Sequence, residues 1–144
     1  MKPILVIGIG NESRGDDALG PLLLRRLAEE DFPDCEFLEV YQLQIEHALD
    51  LAGREKVLFI DAGMDTPAPY TLNRIDAGTS ATPCTHALSP TELLGVGRQI
   101  NGAMPESFTL CIRGEQFGLG LPLSETARQH LEIACAFIRP WLLN

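Results

Sequence analysis

Two short, unbroken apolar runs, Ile4-Leu5-Val6-Ile7 and Val57-Leu58-Phe59-Ile60, each bounded by turn-forming residues, constrain this chain more than any other feature. A strand with one wet face alternates polar and apolar residues. A continuous run of this length instead marks a strand buried on both faces of a parallel sheet. Parallel strands need long crossovers between them, usually helical, and the chain supplies them. Leu19, Leu23 and Leu27 recur every fourth residue with Leu22 alongside, while Arg25, Arg26, Glu29 and Glu30 suit a solvated face, which predicts a helix over about residues 17–30. A second strand is expected from Cys35 to Val40, a short helix over 45–52 closed by Gly53, and a third strand from Lys56 to Ile60. This βαβαβ order argues for an α/β sandwich.

Beyond Asp61, residues 64–85 are rich in Pro, Gly and Thr around one strand-like piece, Tyr70 to Ile75. No crossover separates this piece from the third strand, so it is expected to pair antiparallel or to lie at an edge. Ser89-Pro90-Thr91-Glu92 reads as a capping box with proline at the first helical position, and Leu93, Leu94, Val96 and Ile100 carry that helix to Asn101-Gly102. Phe108 to Ile112 is a further strand. Ser124 caps a last helix with the stripe Ala127, Leu131, Ala134, Phe137, Ile138, which Pro140 is expected to stop.

The 144 residues, 45% apolar and 22% charged, fit one domain over residues 1–144 with a core that needs no disulfide or metal staple. A formal charge of −9 disfavours nucleic acid and anionic membranes. The apolar runs fall far short of the roughly 20 residues that span a bilayer. Lys2 before an apolar run has the look of a signal peptide, but no small-residue cleavage site follows, so the run is read as a strand. Cys35, Cys84, Cys111 and Cys135 show no Cys-x-x-Cys spacing, which fits reduced thiols in the cytoplasm.

The turn Gly8-Ile9-Gly10-Asn11-Glu12-Ser13-Arg14-Gly15-Asp16-Asp17 stands where a dinucleotide-binding fingerprint would be sought. The third glycine of that fingerprint would fall at Ser13, and the loop carries acids where a pyrophosphate needs N–H donors, so a phosphate cradle is disfavoured. What remains is an acidic loop at the carboxyl end of a buried strand. Asp16 and Asp17 suit the start of a helix, yet one acid is enough for that, and two adjacent carboxylates repel unless a cation offsets them. Asp61 closes the third strand at the same rim, either as a ligand or as a turn residue. His86 lies three residues before Ser89, close to Cys84. Asp17, Asp61 and His86 together form an O,O,N donor set suited to nickel, zinc or manganese, with coordination positions left open. His47 and His130 read as solvated. Arg14 is an auxiliary candidate, to contact a substrate carboxylate or to balance Asp16.

The motifs Ile7-Gly8-Ile9-Gly10-Asn11, Arg14-Gly15-Asp16-Asp17-Ala18-Leu19-Gly20, Phe59-Ile60-Asp61-Ala62 and His86-Ala87-Leu88-Ser89-Pro90-Thr91-Glu92, in this order, resemble the nickel-iron hydrogenase maturation endopeptidases. The likeness runs through Phe108 to Ile112 and the glycine-rich stretch that leads into Leu123-Ser124. It implies a three-layer α/β/α sandwich on a five-stranded mixed, mostly parallel sheet. It also implies a cytoplasmic, monomeric protease that removes a C-terminal peptide from the precursor of the hydrogenase large subunit once nickel is in place, with no serine or cysteine nucleophile. In such proteins an acid after the Gly-x-Gly-Asn loop, an aspartate ending a central strand and a histidine before a helix recognise the nickel. Those roles match Asp17, Asp61 and His86, with Asp16 and Cys84 as auxiliaries. The cation would be a divalent metal presented by the substrate, nickel by implication, with zinc or cadmium able to substitute. Two other readings use the same residues: a binding module that senses a nickel-loaded partner without cutting it, and a small-molecule hydrolase, for which no Gly-x-Ser-x-Gly elbow is present. Residues 64–85 are expected to grip the partner or to form a surface excursion.

Overall fold

The computed structural model describes residues 1–78 and 88–144. Both apolar runs are central strands. β1 (Ile4–Ile9) lies between β2 (Cys35–Val40) and β3 (Lys56–Gly63), and β5 (Glu106–Arg113) follows β3, all four parallel. β4 (Tyr70–Ile75) pairs antiparallel with β5 at the edge, giving the order β2-β1-β3-β5-β4. The sheet is therefore five-stranded, mixed and mostly parallel, as expected.

Alternation along the strands divides the core in two. Val6, Leu58, Ile60, Leu110 and Ile112 face α1 (Leu19–Ala28) and α4 (Glu125–Leu142). Leu5, Ile7, Ile9, Val57 and Phe59 face α2 (Ala48–Leu51) and α3 (Pro90–Asn101). Two helical layers thus cover the sheet, each burying side chains worth about 1.5–3 kcal/mol apiece. α3 begins as expected: the Ser89 hydroxyl accepts the Glu92 N–H at 3.2 Å, and the Glu92 carboxylate accepts the Ser89 N–H at 2.9 Å.

Four local expectations are corrected. The helix placed at 17–30 is a 3-10 turn, Gly15–Ala18, followed by α1, and neither start carries a side-chain cap. β3 continues to Gly63 and β5 to Arg113, because ladder pairing with the neighbouring strand carries both past the end of their apolar runs. Pro140 does not stop the last helix, which runs on to Leu142; so near the end only one ladder bond is forfeited. His130 is buried rather than solvated, its Nδ1 at 2.9 Å from the Arg113 carbonyl oxygen.

Candidate active site

The carboxyl ends of the parallel strands form one rim of the sheet, where open α/β sheets place ligands. The β1–α1 loop is drawn tight there. A Cβ on Gly10 would sit 2.0 Å from the Asp17 carbonyl oxygen, so only glycine permits that approach. The tight turn brings the Asn11 N–H to 2.7 Å from Asp17 Oδ2 and fixes the carboxylate. Gly20 does the corresponding work one turn later: a Cβ there would lie 2.3 Å from the Ile9 carbonyl oxygen and 2.7 Å from that of Ile60, so α1 lies directly on β1 and β3. On the outside of the loop, Arg25 bridges Glu12 and Glu39, fastening it to β2.

β3 delivers Asp61 to the same rim, two residues beyond Phe59, on the face covered by α2 and α3. Its Oδ1 accepts the Ala62 N–H at 2.8 Å. Burial pushes the carboxyl up to about 7; the Ala62 N–H opposes this, and the nearby Asp17 charge adds to it. The Asp17 carboxylate, from a distant part of the chain, is thus close enough to raise the cost of ionising Asp61, which a cation would relieve. Cys111, the Cα partner of Asp61 on β5, shares the site, its thiol pushed up by burial and by the Asp61 charge against a hydrogen bond with Thr66. Sequence inspection did not associate Cys111 with the acids, since only strand register makes them neighbours.

The auxiliary candidates separate. Asp16 is 0% exposed, and its carboxylate accepts four hydrogen bonds from the far side of the fold. The donors are the N–H groups of Glu115 (2.7 Å), Gln116 (3.1 Å) and Ser124 (2.7 Å) and the Ser124 hydroxyl (2.7 Å). Burial would raise this carboxyl, but those donors outweigh it and hold it below the usual carboxylate range. Asp16 is therefore an internal anchor and not a metal ligand, a correction to its auxiliary role. Those donors, and not Arg14, offset its charge; Arg14 is exposed ahead of the 3-10 turn. His86 and Cys84 lie outside the described residues. Among the described residues no three His, Cys, Asp or Glu side chains converge to hold a metal.

His47 caps its own turn, its Nδ1 accepting the Gln44 N–H. A cleft of about 350 Å³ lined by Arg74, Ile75, Leu94, Arg98, Met104 and Ser107 lies at the opposite, amino rim of the sheet, away from both acids. No helix among the described residues is long and apolar enough to cross a membrane.

No protein-family model matches the chain, and no curated protein matches it. Solved structures do. A NiFe hydrogenase maturation protease, HycI, from Thermococcus kodakarensis is 25% identical, with 99% of this chain and 94% of that chain covered at a TM-score of 0.74. The hydrogenase maturating endopeptidase HybD from Escherichia coli is 23% identical over 99% of this chain and 92% of that one, TM-score 0.73. A hydrogenase 2 maturation peptidase from a Thaumarchaeota archaeon is 22% identical over 98% of both chains, TM-score 0.70. Over nearly its whole length, the chain is similar to the NiFe hydrogenase maturation proteases and has their fold.

Proposed function

We propose that this protein is a processing endopeptidase that removes the C-terminal peptide from the nickel-loaded precursor of a NiFe hydrogenase large subunit. The observation that carries the reading is the meeting of Asp17 and Asp61 at the carboxyl rim of a sheet built like that of the maturation proteases. The nickel belongs to the substrate. The acids receive it, with His86, three residues before the α3 cap, as the third donor; zinc or cadmium would occupy the same oxygen and nitrogen donors. In this reading the protein works as a cytoplasmic monomer.

Hydrolysis needs an electrophile and a proton carrier. The cation polarises the scissile carbonyl or a water, and water adds at the carbonyl carbon. The carbon–nitrogen bond then breaks as the leaving nitrogen takes a proton. Beside the cation Asp61 would be ionised, so its carboxylate would accept a proton from the attacking water and pass it to the leaving nitrogen, with Asp17 as the paired oxygen donor. The Asn11 N–H keeps Asp17 Oδ2 in place without removing its second oxygen from use.

The test is incubation with nickel-loaded large-subunit precursor, metal-free precursor as control, and mass spectrometry to locate the cut. Shortening of the loaded form alone is expected, with none by Asp17→Asn or Asp61→Asn. Normal processing by either variant refutes the assignment, and a stable complex with no shortened product favours the binding-module reading instead.

A further inference from the structure

Residues 116–124, between β5 and α4, carry no charge in a chain of net charge −9, although they are hydrogen-bonded to the acidic segment that carries Asp17. Leu119 is 70% exposed and Leu121 44%. An exposed apolar loop of this kind needs an occupant or a reason. It is also pinned throughout its length. Asp16 accepts from three of its donors, the Gln116 N–H and the Ser124 N–H and hydroxyl, and from the adjoining Glu115 N–H, and in return the Asp16 N–H donates to the Gln116 carbonyl at 2.7 Å. The Gly15 N–H donates to the Leu121 carbonyl at 3.0 Å, and the Gly120 N–H to the Ser13 carbonyl at 2.7 Å. Each of these bonds ties the loop to the segment that carries Asp17. On the other flank of that segment Tyr41, 67% exposed, is hydrogen-bonded to the Asn11 side chain. Exposed apolar surface therefore stands on both sides of the acid-bearing loop.

We propose that the 116–122 loop, held rigid by Asp16, is a preformed docking edge on which Leu119 and Leu121 seat an apolar segment of the precursor polypeptide beside its metal. This rests on the proposed function. Charge complementarity identifies the occupant: the acids attract a cation, whereas the uncharged edge bonded to the segment that carries Asp17 accepts apolar side chains without desolvating any charge. The fitting partner is a polypeptide that presents a divalent cation adjacent to apolar residues. Pinning the loop in advance removes the ordering cost that a mobile loop would incur on binding.

The experiment compares wild type with the Leu119→Asp/Leu121→Asp double variant and a Leu119→Met/Leu121→Met control. Steady-state processing and binding of nickel-loaded large-subunit precursor are measured, with melting curves for each protein. Both positions are exposed, so all three should melt alike. The aspartate variant should raise KM and weaken binding at least tenfold with kcat within twofold, and the methionine control should match wild type. Unchanged KM and affinity in the aspartate variant overturn the proposal. So does sedimentation showing that wild type is a dimer dissociated by the aspartates, since the occupant is then a second copy. If wild type binds the precursor without cutting it and the aspartates weaken that binding, the docking edge stands and the protease reading falls; if wild type does neither, both fall.

Discussion

Replacing Asp61 with asparagine should stabilise the folded protein at alkaline pH while abolishing processing. A carboxyl moved from 3.8 to about 7 costs about 4 kcal/mol when it ionises in the folded chain, at about 1.36 kcal/mol for each tenfold change in proton affinity. The sign follows from proton counting. From about pH 4 to about pH 7 the folded chain holds more protons than the unfolded one, so stability falls as pH rises, and above about pH 7 the whole penalty is present. Asparagine keeps the oxygen that accepts the Ala62 N–H and removes the repulsion with Asp17.

Calorimetry at about pH 8 should therefore show Asp61→Asn melting roughly 8–16 °C above wild type, at about 2–4 °C per kcal/mol for a chain of this size. At about pH 3 the difference should shrink to near zero, because wild-type Asp61 is then protonated in the folded and the unfolded chain alike. An NMR titration of wild type should place the Asp61 midpoint near 7, and lower in an Asp17→Asn background. A variant less stable than wild type at pH 8, or a gap independent of pH, would refute the reasoning. The outcome bears on function because the same repulsion would drive cation capture: divalent metal should release a proton from Asp61 and bind more weakly as pH drops below its midpoint.

Asp16→Asn should cost about 2–4 kcal/mol near neutral pH, since an amide cannot satisfy four donors buried around it. As this carboxyl is held low, the deficit should narrow only as pH falls below about 4, read by urea denaturation across pH. Ser89→Ala removes one arm of the α3 capping box and should lower stability by about 1 kcal/mol; an unchanged denaturation midpoint would contradict the cap. Gly20→Ala forces a methyl into the Ile9 and Ile60 carbonyl oxygens and should cost about 3 kcal/mol. It should also displace Asp17, so that the Asp61 midpoint falls together with the melting temperature.

What the sequence made legible was what local pattern determines. β1 and β3 stood out because burial on both faces leaves no polar residue in the run, and α3 because its cap is written in four consecutive residues. The edge position of β4 followed from the missing crossover. Features set by non-local partners were not legible. His130 reads as solvated until the Arg113 carbonyl is placed against it, and Asp61 reads as closing its strand, as ligand or turn residue, because the ladder to Cys111 that keeps it in a strand is far away in sequence.

The Asp16-Asp17 pair shows the limit most directly. Motif position singles out Asp17 and leaves Asp16 as an auxiliary, but nothing in the order of the two acids shows what holds Asp16. In a 3-10 turn, at three residues per turn, neighbours point about 120° apart. One carboxylate must therefore turn inward if the other turns to the rim. The inward one is tolerated only because four donors from the 115–124 segment meet it, and the outward one stays available because the Asn11 N–H takes a single oxygen. Exchanging their roles would bury a carboxylate with no donors and expose donors with no acceptor. The pair is thus specified jointly by the turn and by a loop about 100 residues downstream.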